Sequence, residues 1–159
     1  MHSLPVSLRP LEPAELEAFI HLTVRGYAEE RAEAVDARAE DAARNARAQV
    51  EALLPQGLAT PDHHLFAVLE GDVAVGHLWI AVTSVDGFRS VFLYDIHLRE
   101  DARGRGIGRR VMALAEEAAR GLGARDLELH VFASNTRALR FYEALGFRIT
   151  SVSMRKTIG

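Results

Sequence analysis

Arg103-Gly104-Arg105-Gly106-Ile107-Gly108-Arg109-Arg110 stands between a strand-like run, Arg89 to Leu98, and a stretch whose apolar positions Ile107, Val111, Leu114, Ala115, Ala118 and Leu122 keep helical period. A glycine-rich turn entering a helix is an anion cradle by construction. Glycine lets the backbone turn tightly and bring N–H groups against phosphate oxygens, and the helix that follows presents the positive end of its dipole. Four arginines add counter-charge, and each well-aligned charge-assisted contact contributes roughly 1.5–3 kcal/mol. The plain alternative is a glycine turn with solvated arginines. A nucleoside-triphosphate P-loop would continue Gly-Lys-Ser/Thr where this loop reads Gly-Arg-Arg. A dinucleotide fingerprint spaces its glycines as GxGxxG, whereas Gly104, Gly106 and Gly108 are evenly spaced and only one crossover follows.

Outward from the loop, the pattern predicts a mixed α/β layer fold. Val6 to Arg9 reads as a strand, Ala14 to Arg31 as an amphipathic helix through Leu16, Phe19, Ile20, Thr23 and Tyr27, and Glu33 to Leu54 as a second, surface helix with the thin stripe Ala43, Ala46, Val50, Leu53 and Leu54. Strands are predicted at Leu65 to Leu69, Val73 to Val82 and Arg89 to Leu98, with Gly71-Asp72 and Asp86-Gly87 as hairpin turns. After the loop come a helix to about Arg120, a strand Asp126 to Val131, a helix Thr136 to Leu145 and a last strand Phe147 to Lys156.

The loop resembles the acetyl-CoA loop of the GNAT N-acetyltransferase superfamily, whose pattern of Arg or Gln, two residues, Gly, one residue, Gly or Ala is filled by Arg103, Gly106 and Gly108. Further on, Asn135 precedes Tyr142 by seven residues, and Glu143, Gly146 and Phe147 complete a Tyr-Glu-x-x-Gly-Phe run common in that superfamily. Singly, Asn135 reads as a helix N-cap and Tyr142 as core packing; together and in order they carry the resemblance. It extends over nearly the whole chain, and residues 1–159 are expected to form one GNAT domain: a central, mostly antiparallel sheet with one splayed parallel strand pair and flanking helices.

The resemblance implies direct transfer of an acetyl group from acetyl-CoA to a primary amine of a small molecule, protein or peptide, without a covalent enzyme intermediate. It implies that backbone groups of Ile96, His97 and Leu98 bind pantetheine and that Arg103, Gly104, Arg105, Gly106, Ile107, Gly108 and Arg109 hold the pyrophosphate, with Asn135 and Tyr142 beside the cofactor. Tyr142 matches the position of a general acid. Several relatives place Glu five residues before the motif Asn; here that position is His130, whose imidazole can accept a proton at neutral pH. Asp95 is the competing base or a receptor for a cationic acceptor, unless it orients His97. A non-catalytic acyl-CoA sensor would need neither Tyr142 nor a titratable neighbour, and a nucleotide-dependent oxidoreductase is the other rival.

Composition supports these readings. The 159 residues are 48% hydrophobic and 26% charged, as in a folded globular chain. A net charge of −3 offers no global field for nucleic acid. The chain contains no Cys, which excludes disulfides, thiolate metal sites and an acyl-thioester enzyme intermediate. His63 and His64 are adjacent, so on a strand they face opposite ways, and no metal site is expected from them. MHSLPVSLRP lacks the pattern of a signal peptide, and no apolar run is long enough to cross a membrane, so a cytoplasmic location is expected. Dimerisation is common in the superfamily, which makes a homodimer one possible assembly, but the sequence shows no decisive patch for it.

Overall fold

The computed structural model describes residues 3–35 and 38–159. Its frame is a five-stranded sheet in the order β1 (Val6–Pro10), β2 (His63–Glu70), β3 (Val73–Val85), β4 (Phe88–Leu98), β5 (Asp126–Leu129). Neighbours are antiparallel except β4 and β5, which run parallel. Helices α1 (Leu16–Val35) and α2 (Ala39–Leu53) precede the meander, α3 (Ile107–Gly121) makes the β4-to-β5 crossover, and α4 (Thr136–Ala144) follows β5.

The period of two along β3 divides the interior. Leu78 and Ile80 enter a core with Val91, Leu93, Ile107, Val111, Met112 and Ala115, whereas Trp79 enters a second core with Phe19, Val50, Leu54 and Leu65. The sheet therefore packs α3 against one face and the α1–α2 pair against the other, so β3 is buried on both sides. Asp86 and Gly87 both have positive φ, 51° and 82°, the type I′ geometry whose twist suits a two-residue hairpin.

The second helix differs from its expected form. Its predicted span crosses positions 36 and 37, which lie outside the described residues. Its buried stripe is Ala42, Ala46, Val50 and Leu54, one residue out of phase with the expected start at Ala43, and all four are buried. Small side chains let α2 pack closely on α1 through this one stripe, while Asp41, Arg44, Asn45, Ala48 and Ala52 on its other faces are exposed, so α2 is the expected surface helix with a single buried face.

Two strand boundaries also differ. β5 stops at Leu129, because the β4–β5 ladder ends at the pair Leu93 and Leu129. The expected last strand, Phe147 to Lys156, is not formed: residues 148–159 are exposed and carry no regular structure. Phe147 N–H donates to the Tyr142 carbonyl at 3.0 Å, and Gly146, at φ 96°, turns the chain at the end of α4. No helix among the described residues is long and apolar enough to cross a membrane.

Candidate active site

A bulge in β4 opens the site. Trp79 pairs with Asp95 and Ile80 with Leu93, so Tyr94 is an extra residue on β4. A bulge bends its strand and strengthens the local twist, and here the β4–β5 pairing stops one residue before it. The Tyr27 hydroxyl on α1 donates to the Tyr94 carbonyl and pins the bulge. From Asp95 to Leu98, β4 keeps its ladder with β3 and has no strand on its other edge among the described residues.

The resulting cavity, about 440 Å³, is walled by Tyr27 and Glu30 of α1, Gln49 and Leu53 of α2, Phe92 to Ile96 of β4, Leu129 of β5 and His130 to Phe132 after it, and Asn135 before α4 with Ala138 and Tyr142 on it. It brings together five of the residues singled out from sequence: Asp95, Ile96, His130, Asn135 and Tyr142. His97, Leu98 and the glycine loop lie outside its walls, further along β4.

Asp95 is the most constrained of these residues. Its Oδ2 lies 2.6 Å from His77 Nε2 and accepts the Thr23 hydroxyl at 3.2 Å. His77 is buried, with Phe19 edge-on at 4.5 Å and His97 stacked at 5.3 Å. The expectation that Asp95 orients His97 is thus corrected: its partner is the cross-strand His77. His97 has its pKa lowered by burial first and then by the neighbouring His77. His77 and Thr23 were missed in the sequence, since they stand 18 and 72 residues from Asp95 and only the sheet and α1 join them.

Tyr142 is held edge-to-face by Phe141 at 5.2 Å and Phe147 at 5.6 Å. Burial, followed by the negative charges of Asp95 and Glu30, pushes its phenol up to about 12. The hydroxyl therefore stays protonated across the neutral range. His130 lies past the end of β5, exposed, with its ring edge-on to Phe132 at 5.0 Å. Asn135 N-caps α4, its side-chain oxygen accepting the Ala138 N–H at 3.2 Å while the residue also lines the cavity. The cap and the cavity wall are therefore roles held together.

The glycine loop begins where β4 ends. Gly104 and Gly106 have φ of 74° and 78°, and a Cβ built on either would meet nothing within 4 Å. Gly106 is the N-cap of α3, with no side-chain cap, so the first-turn N–H groups of Ile107, Gly108 and Arg109 precede the first intrahelical bond, Arg110 N–H to Gly106 C=O at 3.3 Å. These are open backbone donors on a helix of fifteen residues, and such donors suit an anionic group. The arginines divide. Arg105 forms a bidentate pair with Glu70 at 2.9 and 3.0 Å, and Arg103 Nε donates to the Leu98 carbonyl at 3.0 Å, so both brace the loop. Ile107 is buried, and Ile96 and Leu98 pack on the same core, which leaves only their backbone groups for any ligand. Of the adjacent histidines, His63 Nδ1 accepts the Trp79 indole N–H at 2.9 Å, and burial lowers its pKa in keeping with a neutral acceptor ring.

Residues 23–147 match the model of the acetyltransferase (GNAT) family. A Bacillus subtilis (strain 168) protein described as the uncharacterized N-acetyltransferase YycN is 38% identical over 157 residues, 98% of this chain and 100% of that protein. The crystal structure of that putative acetyltransferase superposes with a TM-score of 0.90 at 37% identity, covering 97% of this chain and 99% of the other. The fold alone is shared, at 19% identity and TM-score 0.61, with the structure of AAC(6')-Iy in complex with a CoA-S-monomethyl-acetylneamine bisubstrate analogue, over 98% of this chain and 99% of that one. The divergence of β4 from β5, the uncapped glycine turn at the strand's end and the Asn135–Tyr142 helix thus occur in a chain that belongs to the GNAT acetyltransferase family.

Proposed function

We propose that this acetyltransferase transfers the acetyl group of acetyl-CoA to a primary amine of a small molecule or a peptide. One observation carries the reading: the unpaired edge of β4 joins an open anion cradle, at one end, to a cavity lined by Asp95 and a protonated tyrosine at the other. From Asp95 to Leu98 that edge spans about 10 Å at 3.3 Å per residue, a track for an extended pantetheine arm.

The amine nitrogen forms its bond to the thioester carbonyl carbon, and the carbon–sulfur bond breaks as the oxyanion collapses. A backbone N–H of the free β4 edge polarises that carbonyl. The Tyr142 hydroxyl gives its proton to the departing thiolate, and the proton of the new N-acylated ammonium passes to a base. The sequence ranks His130 first for that role and Asp95 second; burial and hydrogen bonding favour the reverse. Asp95 has one oxygen held by His77 and Thr23, and its carboxylate, with Glu30, gives the cavity a negative wall that attracts a cationic acceptor.

The test is a panel of amines mixed with acetyl-CoA and the protein, following release of the CoA thiol. Because the chain has no Cys, the thiol signal has no protein background. Acceptor-dependent thiol release with a matching acetylated product is expected; tight CoA binding with no transfer to any amine would replace the enzyme by a sensor.

A further inference from the structure

Asp95 receives two donors on one oxygen, and they come from different elements. His77 Nε2, on β3, lies 2.6 Å from Oδ2, and the Thr23 hydroxyl, on α1, donates to that same oxygen at 3.2 Å. A carboxylate only accepts, so the His77 nitrogen that meets it carries the proton. Oδ1 makes no hydrogen bond among the described residues.

Exposure gives the arrangement a direction. The His77 side chain is 6% exposed and Thr23 1%, and both lie outside the walls of the cavity, whereas the Asp95 side chain is 21% exposed and belongs to them. The donors are interior, and the group they hold is the one a ligand meets. His77 is itself held, with Phe19 edge-on to its ring at 4.5 Å and the His97 ring stacked on it at 5.3 Å. A core histidine bonded only to satisfy its own burial needs an acceptor, but no second donor converging on the same oxygen.

We infer that His77 and Thr23 are positioning residues: they clasp the Asp95 carboxylate by Oδ2 and leave Oδ1 to meet the amine of the acceptor. The inference rests on the role proposed above for Asp95 in receiving that amine. Charge-assisted bonds from two elements to one carboxylate oxygen fix both the place of the side chain and the rotation of its carboxylate plane. That precision matters to catalysis, since a reacting group misplaced by about 1 Å costs on the order of 100-fold in rate. His77 stands on β3, across β4 from the free edge proposed for pantetheine, so acetyl-CoA should not feel its loss.

Steady-state kinetics on one amine that the protein acetylates, compared across variants, test the clasp. His77→Leu fills the space without a donor and should lower kcat/KM for the amine by about 10- to 100-fold, with KM for acetyl-CoA unchanged. His77→Gln, whose Nε2 is as many bonds from Cα as the imidazole Nε2, should restore most of that loss. Added to Asp95→Asn, His77→Leu should lower kcat/KM little further, because the carboxylate it aims is gone. Equal losses in the two backgrounds, or an unchanged kcat/KM in folded His77→Leu, mean that His77 only packs and overturn the inference. Should His77→Leu misfold, Thr23→Val takes its place, with a loss of about tenfold that again depends on Asp95; equal losses with and without the carboxylate overturn the clasp. Nitrogen NMR of the histidine rings reads the hydrogen bond without any acceptor. His77, identified by the signals lost in His77→Gln, is expected with Nε2 protonated, and a bare Nε2 overturns the clasp. A wild-type chain that binds CoA but acetylates no amine fails the proposed function and takes this inference with it, whereas an active wild type with the contrary outcomes above fails the inference alone.

Discussion

Tyr142 and Asp95 carry the proposed chemistry with different kinds of support. Tyr142→Phe keeps the ring between Phe141 and Phe147 and removes only the proton donor. Turnover should fall by about 10²- to 10⁴-fold with CoA affinity unchanged. Wild-type turnover, with chemistry rate-limiting, would remove the general-acid role. Asp95→Asn preserves shape and hydrogen-bonding capacity but loses the charge, and is expected to lower kcat/KM for the amine by about 100-fold or more, against less than about tenfold for His130→Gln on the same acceptor. The opposite ranking would return the base to His130. Tyr142 was legible in sequence because its motif is local. The Asp95–His77 pair was not, because the two residues meet only through the β3–β4 register.

At the scale of elements, two glycines make opposite demands. Gly106 opens the turn before α3, with positive φ and nothing near its missing side chain, so Gly106→Asp fits the fold: Asp is among the residues that tolerate this backbone region. Its carboxylate would sit at the proposed phosphate cradle, and CoA affinity measured by calorimetry should fall at least about 100-fold with the melting temperature little changed. Gly76 is closed: a Cβ there would stand 2.1 Å from the His97 carbonyl oxygen. Gly76→Ala must push β3 from β4, at a cost of about 2–3 kcal/mol, read as a lower urea midpoint. The sequence marks Gly106 through its loop; Gly76 becomes special only when β4 is laid beside it.

For the whole molecule, two partly buried phenols, Tyr27 and Tyr142, are expected to set an alkaline limit. Burial is the leading cause of raised pKa at both Tyr27 and Tyr142, the second reaching about 12. Between an unfolded value near 10 and the native one, the native state retains protons that the unfolded chain has lost. Stability is therefore fully present below about pH 10 and declines as pH rises toward 12, by about 1 kcal/mol per tyrosine at pH 11. Tyr27→Phe and Tyr142→Phe should each flatten the fall in urea midpoint between pH 9 and pH 11. An equally steep fall in both variants would assign the alkaline limit to other groups.

Short-range pattern determined the helices around Phe19 and Val111, the meander with its Asp86-Gly87 turn, the glycine cradle and the Asn135–Tyr142 helix, since each depends on periodicity or backbone freedom within a few residues. The boundaries of α2, the end of β5 and the state of residues 148–159 depended on what lies across the fold. Alanines become core when a neighbouring helix comes close. A strand ends where its partner bulges away at Tyr94, and residues 148–159 form no strand although the outer edge of β5 has no partner strand among the described residues. The cavity itself belongs to tertiary structure: it exists because Tyr94 is one residue too many for β3, and Tyr27, 67 residues away, holds it there.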